Sequence, residues 1–183
     1  GSWTERIGDE EMRLSAPSFF QVNTAAAEIL IDLVMGALAP AEDEVACDLY
    51  SGAGTFTLPL ARRCAFVSAV EAYGPAVRDL RRNLEFARLD NVDVIGGDAV
   101  REFPDEVDPP RSGLGEGAIE LIADSGARDV AYVSCDPATL ARDLRRFTDE
   151  GTFRVVSTTP VDLFPQTFHC ETVAHLTRAQ GLG

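Results

Sequence analysis

Val133-Ser134-Cys135-Asp136-Pro137-Ala138-Thr139-Leu140-Ala141-Arg142-Asp143-Leu144 joins a buried strand to a helix. Ala131 to Val133 are apolar and strand-like. Pro137 suits the first turn of a helix, and Leu140, Leu144 and Phe147 recur at helical spacing. A strand running straight into a helix is the repeating unit of an open α/β sheet, in which ligands and chemistry collect at the carboxyl ends of the strands. Cys135 stands at such an end. A thiol beside a helix N-terminus, which favours the thiolate, is a candidate nucleophile. A cysteine in an apolar strand is more often inert core, and Cys47 is read that way. The strand-end position and the flanking motif set Cys135 apart.

Outward from this stretch, strands and helices alternate. Strands are expected over 45–49, 66–71, 92–95, 130–134, 153–158 and 172–176, and helices over 24–38, 56–63, 75–88, 116–125 and 137–147. The first helix has Asn23 or Thr24 as its N-cap and an apolar stripe of Ile29, Leu30, Leu33, Val34 and Leu38. Such alternation predicts a doubly wound, mostly parallel sheet covered by helices on both faces. No helix separates the last two strands, so the last is expected to be antiparallel to its neighbour. Residues 1–18 read as an irregular lead-in with one short strand around 12–14, and Gly1-Ser2 as a tag remnant; 19–183 read as one domain.

One interval is too short. Asp98 lies just past the third strand, and Asp108-Pro109-Pro110 is expected just past a fourth. Nine residues separate the two aspartates, whereas a parallel crossover takes a dozen or more. Residues are therefore expected to be missing between 103 and 108, a loop and part of a strand.

The 183 residues suffice for one full core, and 45% of them are hydrophobic. No apolar run is long enough to span a bilayer, and no signal peptide is read. The four cysteines, Cys47, Cys64, Cys135 and Cys170, contain no C-x-x-C pair, which argues against a metal site and suits a reducing, cytoplasmic setting. Sixteen basic against 30 acidic residues give a net charge of −14. That balance opposes unaided binding to nucleic acid, which ordinarily uses a basic face.

Asp48-Leu49-Tyr50-Ser51-Gly52-Ala53-Gly54-Thr55-Phe56 follows a strand and opens a helix. Glycines allow a sharp turn and close approach to a ligand. Glu71 ends the next strand about 20 residues on, where a carboxylate accepts from ribose hydroxyls. The spacing D-x-x-x-G-x-G is neither the dinucleotide fingerprint nor a P-loop. It is closer to the S-adenosylmethionine loop of class I methyltransferases, and Asp98 shares the same sheet edge.

Five segments then occur in one order: Phe19-Phe20-Gln21-Val22-Asn23, the glycine loop, Asp108-Pro109-Pro110-Arg111-Ser112-Gly113, Val133-Ser134-Cys135-Asp136-Pro137, and Phe164-Pro165-Gln166-Thr167-Phe168-His169-Cys170-Glu171. Together they resemble the RNA 5-methyluridine methyltransferases, which act on uracil in transfer RNA and in 23S ribosomal RNA. The likeness runs from about Ser15 to Arg178. It implies a Rossmann-like, seven-stranded sheet with an antiparallel last strand, S-adenosyl-L-methionine as cofactor and an RNA substrate, with no DNA expected. Some members bind an iron–sulfur cluster through cysteines outside this region, whereas the expectation of no membrane and no metal within this piece rests on the apolar runs and the cysteine spacing. The likeness implies that Gln21, Tyr50, Gly52, Gly54, Thr55, Glu71, Asp98 and Asp108 contact cofactor or substrate, that Cys135 is the nucleophile and that Glu171 is the base. Asp108 is also assigned to the uracil edge. Members often have cysteine where Ser51 stands, and asparagine can occur at the Thr55 position. They usually carry an N-terminal oligonucleotide-binding barrel and a central domain, neither of which is in this sequence.

The implied chemistry adds a thiolate to carbon 6 of a flipped-out uracil, methylates carbon 5 and removes the carbon 5 proton. Phe164 and Phe168 are either core or stacking platforms, and His169 reads as a positioning or surface residue. Arg142, Arg145 and Arg146 read as a solvated helix face in preference to a phosphate contact. An RNA 5-methylcytosine methyltransferase is the enzyme alternative. It typically presents a second cysteine after strand four, where this chain has Asp108-Pro109-Pro110-Arg111. The other alternative is a fragment that binds S-adenosylmethionine without turnover.

Overall fold

A computed structural model describes residues 2–15, 23–102, 114, 117–149, 151–162 and 170–180. The chain opens with a hairpin, β1 (Ser2–Ile7) and β2 (Glu10–Ser15). The short strand expected around 12–14 lies within β2, whereas β1 is a strand where an irregular lead-in was expected. Ile7 pairs with Glu10, which leaves Gly8-Asp9 as a two-residue turn, and Gly8 has the positive φ of 57° that such turns need. Met12 and Leu14 alternate inward with Ile7 against Leu80 and Leu84, and the buried Glu10 on the same strand pairs with Arg62. A hairpin this short is marginal alone, so its sequence signal is weak and its stability comes from what it packs on.

Helix α1 (Thr24–Leu38) begins where expected. The Asn23 side chain accepts from Ala26 N at 3.2 Å, satisfying one of the helix's orphan N–H groups. The buried stripe is Ala26, Ala27, Leu30, Val34 and Met35, whereas Ile29 is half exposed. The real stripe is rotated toward the small Ala26 and Ala27, which let the helix come close to its neighbours.

Then come β3 (Val45–Leu49), α2 (Thr57–Ala61), β4 (Phe66–Glu71), α3 (Gly74–Ala87), β5 (Val92–Gly96), α4 (Ala118–Asp124), β6 (Asp129–Ser134), α5 (Pro137–Asp149), β7 (Phe153–Asp162) and β8 (Cys170–Arg178). Strands β3, β4 and β5 form a parallel sheet in that order. Strands β6, β8 and β7 form a second sheet, with β8 antiparallel to both neighbours. The expected antiparallel last strand is thus present, but it lies between β6 and β7. Among the described residues no strand joins β3 to β6, so the architecture is a hairpin and two three-stranded sheets, not a continuous seven-stranded one. Residues 103–113, where the fourth strand and the missing residues were expected, lie outside the described residues.

The two sheets share one core. Leu49 and Val70 from the first belong to the same buried cluster as Val130, Tyr132, Ala174 and Leu176 from the second. They also share a rim. The Arg128 guanidinium before β6 donates to Glu44 Oε1, before β3, at 2.6 Å and to Leu38 O at 3.3 Å. Since β3 and β6 both start at this rim, they run the same way, and their carboxyl ends lie on the opposite side. Among the described residues no helix is long and apolar enough to cross a membrane.

Candidate active site

The first part of the site grows from the end of β3. Tyr50 takes a left-handed φ of 59°, an unfavourable conformation for a bulky residue, and Gly52 and Gly54 have φ of 56° and 102°. Backbone contacts hold this turn: Ser51 N donates to Val70 O at 3.0 Å, Gly54 N to Ser51 O at 2.9 Å, and Leu58 N to Gly54 O at 3.1 Å. Gly54 is confined from outside as well. A Cβ there would lie 2.5 Å from Leu58 Cδ1 and 2.6 Å from Leu80 Cδ1. Thr55 follows in the same turn and is half-buried.

Glu71 ends β4 beside the turn. Its Oε2 accepts from Gly52 N at 2.9 Å and its Oε1 from Tyr73 N at 2.7 Å. Two backbone donors fix the carboxylate while leaving further lone pairs open. Glu71 pairs in register with Gly96, and Gly97 N donates to Glu71 O at 3.1 Å, which brings Asp98 to the same edge. Asp98 Oδ1 accepts from Val100 N at 3.0 Å, closing the turn after β5. The glycine loop, Glu71 and Asp98 are therefore brought together. Gln21 and Asp108 lie outside the described residues.

Asp48 has an environment that the loop motif alone does not reveal. It is 1% exposed; its Oδ2 accepts from the Thr57 hydroxyl, and its Oδ1 has no hydrogen-bond partner among the described residues. Burial pushes its carboxyl up to about 7, the Thr57 hydrogen bond opposes this, and the Glu71 charge adds to it.

The second part of the site lies at the end of β6. The β6–β8 ladder closes on the pair Ser134↔Thr172. Cys135 directly follows the first residue of that pair and Glu171 directly precedes the second, so antiparallel pairing brings nucleophile and base candidates to one end of two adjacent strands. Both are half-buried. Asp136 caps α5: its Oδ1 accepts from Ala138 N at 2.9 Å and Thr139 N at 3.0 Å, which hold its carboxyl below the usual range. Cys135 directly precedes this cap, so the first free N–H groups of α5 are taken by Asp136.

The three α5 arginines have carboxylate partners. Arg142 Nη2 lies 2.8 Å from Asp143, Arg146 Nη2 3.1 Å from Glu120, and Arg145 Nε 3.6 Å from Asp149. That arrangement fits a solvated helix face. Asp143 was not singled out from the sequence. It is fully buried, and its Oδ2 accepts from Tyr132 Oη at 2.8 Å and Leu114 N at 3.1 Å, tying α5 to β6, the strand that leads into Cys135. Its only sequence signal is an acid on the apolar face of a helix. Phe164, Phe168 and His169 lie outside the described residues.

The model of the family described as tRNA (Uracil-5-)-methyltransferase matches residues 6–106 and 105–179. An uncharacterized RNA methyltransferase of Chlorobaculum tepidum is 38% identical over 98% of the chain and 40% of its own length. One of Streptomyces coelicolor is 42% identical over 94% and 40%. The chain thus spans about two fifths of the length of these curated relatives. The solved structure of Pyrococcus abyssi tRNA (uracil-54, C5)-methyltransferase, in complex with S-adenosyl-L-homocysteine, superposes with a TM-score of 0.82 at 33% identity, covering 96% of this chain and 44% of that one. With both stretches of the family model matched across nearly all of its sequence, the chain belongs to the tRNA (uracil-5-)-methyltransferase family.

Proposed function

We propose that this chain carries the cofactor pocket and reactive residues of an S-adenosylmethionine-dependent RNA methyltransferase acting on carbon 5 of a uridine, in transfer RNA or 23S ribosomal RNA. The observation that carries the reading is the adjacency of Cys135 and Glu171 at the closed end of the β6–β8 ladder. The residues at the other strand ends fit the cofactor. Gly52 and Gly54 give the turn its positive φ angles, and Glu71 is fixed beside it with lone pairs free for a ribose. Tyr50, Gly52, Gly54, Thr55, Glu71 and Asp98 would line that pocket, and family likeness adds Gln21 and Asp108.

When bound, S-adenosylmethionine supplies an electrophilic methyl group. The Cys135 thiolate adds through Sγ to carbon 6 of the uracil, and the displaced electron pair makes carbon 5 nucleophilic enough to take that methyl. The Glu171 carboxylate then removes the carbon 5 proton. The carbon 5–carbon 6 double bond re-forms as the carbon 6–sulfur bond breaks, which returns the thiolate. By family likeness Asp108 holds the uracil edge during these steps.

The test has two parts. Calorimetry of the chain with S-adenosylhomocysteine is expected to give binding. In the full-length protein, Cys135→Ala is expected to lower methyl transfer to transcript RNA by at least about 10⁴-fold, the scale of losing a nucleophile. Unchanged turnover would end the proposal. A second reading, binding without turnover, is favoured for the chain by itself by its net charge of −14 and its two-fifths coverage of its relatives. Methyl transfer by the 183-residue chain alone would exclude it.

A further inference from the structure

We infer that Asn83 is a positioning residue that anchors the glycine loop to the N-terminal hairpin through a single side chain. The inference rests on the reading that this loop holds the cofactor.

Helix α3 buries Ala76, Val77, Leu80 and Leu84, and among them two polar residues, Asp79 and Asn83, exposed by 2% and 1%. Four residues apart, they stand on one face of the helix. Buried polar groups without partners cost more than their hydrogen bonds return, and both residues find partners far away in sequence. Asp79 Oδ2 accepts from the Ser15 N–H at 2.8 Å and the Ser15 hydroxyl at 2.7 Å. Asn83 Oδ1 accepts from Arg13 N at 2.7 Å, and its Nδ2 donates to Ala53 O at 3.0 Å.

Ala53 lies between the two glycines of the loop. A carboxamide can accept with one atom and donate with the other; a carboxylate only accepts, and leucine does neither. Fixing the Ala53 carbonyl sets the plane of the Ala53–Gly54 peptide, whose N–H closes the turn on Ser51 O at 2.9 Å. Glycines have little conformational preference of their own to keep that turn shut. Asn83 thereby joins β2 and the glycine loop, and α3 itself starts just beyond Glu71.

Two readouts on the whole chain test this: amide exchange at Gly54 without ligand, and calorimetric affinity for S-adenosylhomocysteine. Asn83→Asp keeps the acceptor toward Arg13 and loses the donor toward Ala53. It is expected to speed Gly54 exchange at least tenfold and to weaken binding at least tenfold. Both effects are expected to recede as pH falls and the introduced carboxyl protonates, because it then donates again. Met35→Ala, in a separate buried cluster, is the stability control and is expected to leave both readouts unchanged. Unchanged Gly54 exchange in Asn83→Asp overturns the inference, as does an equal response in Met35→Ala. Should Asn83→Asp not fold, Asn83→Ala is judged by the same exchange criterion. Faster exchange in a chain that does not bind S-adenosylhomocysteine upholds the anchor and refutes only the cofactor reading.

Discussion

The two three-stranded sheets build their ends in different ways. At the end of β3–β4–β5, a turn of unfavourable backbone conformation is held by hydrogen bonds to Val70 O, Glu71 and Asn83. These contacts hold the main chain of the turn in place. At the end of β6–β8–β7, strand pairing alone brings the candidate nucleophile Cys135 and the candidate base Glu171 to one end of two adjacent strands. A cofactor pocket gains from a rigid backbone, whereas a nucleophile and a base need only the right neighbour at the right register. Damage to the first end should therefore register as lost binding and stability, and damage to the second as lost chemistry in a folded protein.

Glu171→Gln bears hardest on that contrast. In the full-length protein it is expected to leave the fold and cofactor affinity intact, while slowing release of product by about 10²–10⁴-fold, the usual weight of a general base. The trapped species is a covalent protein–RNA adduct, visible on a denaturing gel. Release of methylated RNA at the normal rate would remove Glu171 from the mechanism.

Gly54→Ala acts at the other end. The added Cβ meets Leu58 and Leu80 at 2.5 and 2.6 Å, at a φ of 102°, and is expected to cost about 2–4 kcal/mol. Urea denaturation measures the loss, and calorimetry should show weaker S-adenosylhomocysteine binding. Stability equal to that of the parent would mean that the loop is less confined than its contacts imply.

Asp48→Asn probes the same end through pH. The buried carboxyl keeps its proton up to about pH 7, whereas the unfolded chain releases it near 4. The folded state thus holds the extra proton between those limits. Its stability falls as pH rises through that window, by on the order of a few kcal/mol, and levels off above it. Asp48→Asn is expected to flatten this part of the profile in denaturant titrations from pH 4.5 to 8. A parent protein with no slope there would contradict the protonated carboxyl.

The smallest effect belongs to Arg145→Ala. The side chains of Arg145 and Asp149 are 82% and 62% exposed, so the loss is expected to stay within about 0.5 kcal/mol. The salt dependence of RNA binding should also be unchanged. A shallower salt slope would make this helix face a phosphate contact after all.

Much of the layout was legible because it is written locally. The strands at 45–49 and 66–71 and the helix at 24–38 fall where apolar periodicity and the Asn23 cap indicated. The glycine loop was recognisable because its positive φ angles need glycine at two positions. The hairpin was hidden because its inward residues are few and one of them is Glu10, paired with Arg62. Ile29 misled because side-chain hydrophobicity outweighed the two alanines that set the contact face of the helix. Asp79, Asn83 and Asp143 gave little signal because an acid or amide in a helix looks like a solvated face until its partners arrive from distant segments.

Read as a string, the chain establishes the alternation of elements, the turn before α2 and a cysteine at the mouth of a strand, because each depends on neighbours within a few residues. It does not establish that β8 inserts between β6 and β7, that residues 135 and 171 come to one end of paired strands, or that burial pushes the Asp48 carboxyl up. Those depend on which edges pair and on what lies over a buried carboxyl, and both arise only when remote segments come together around one core.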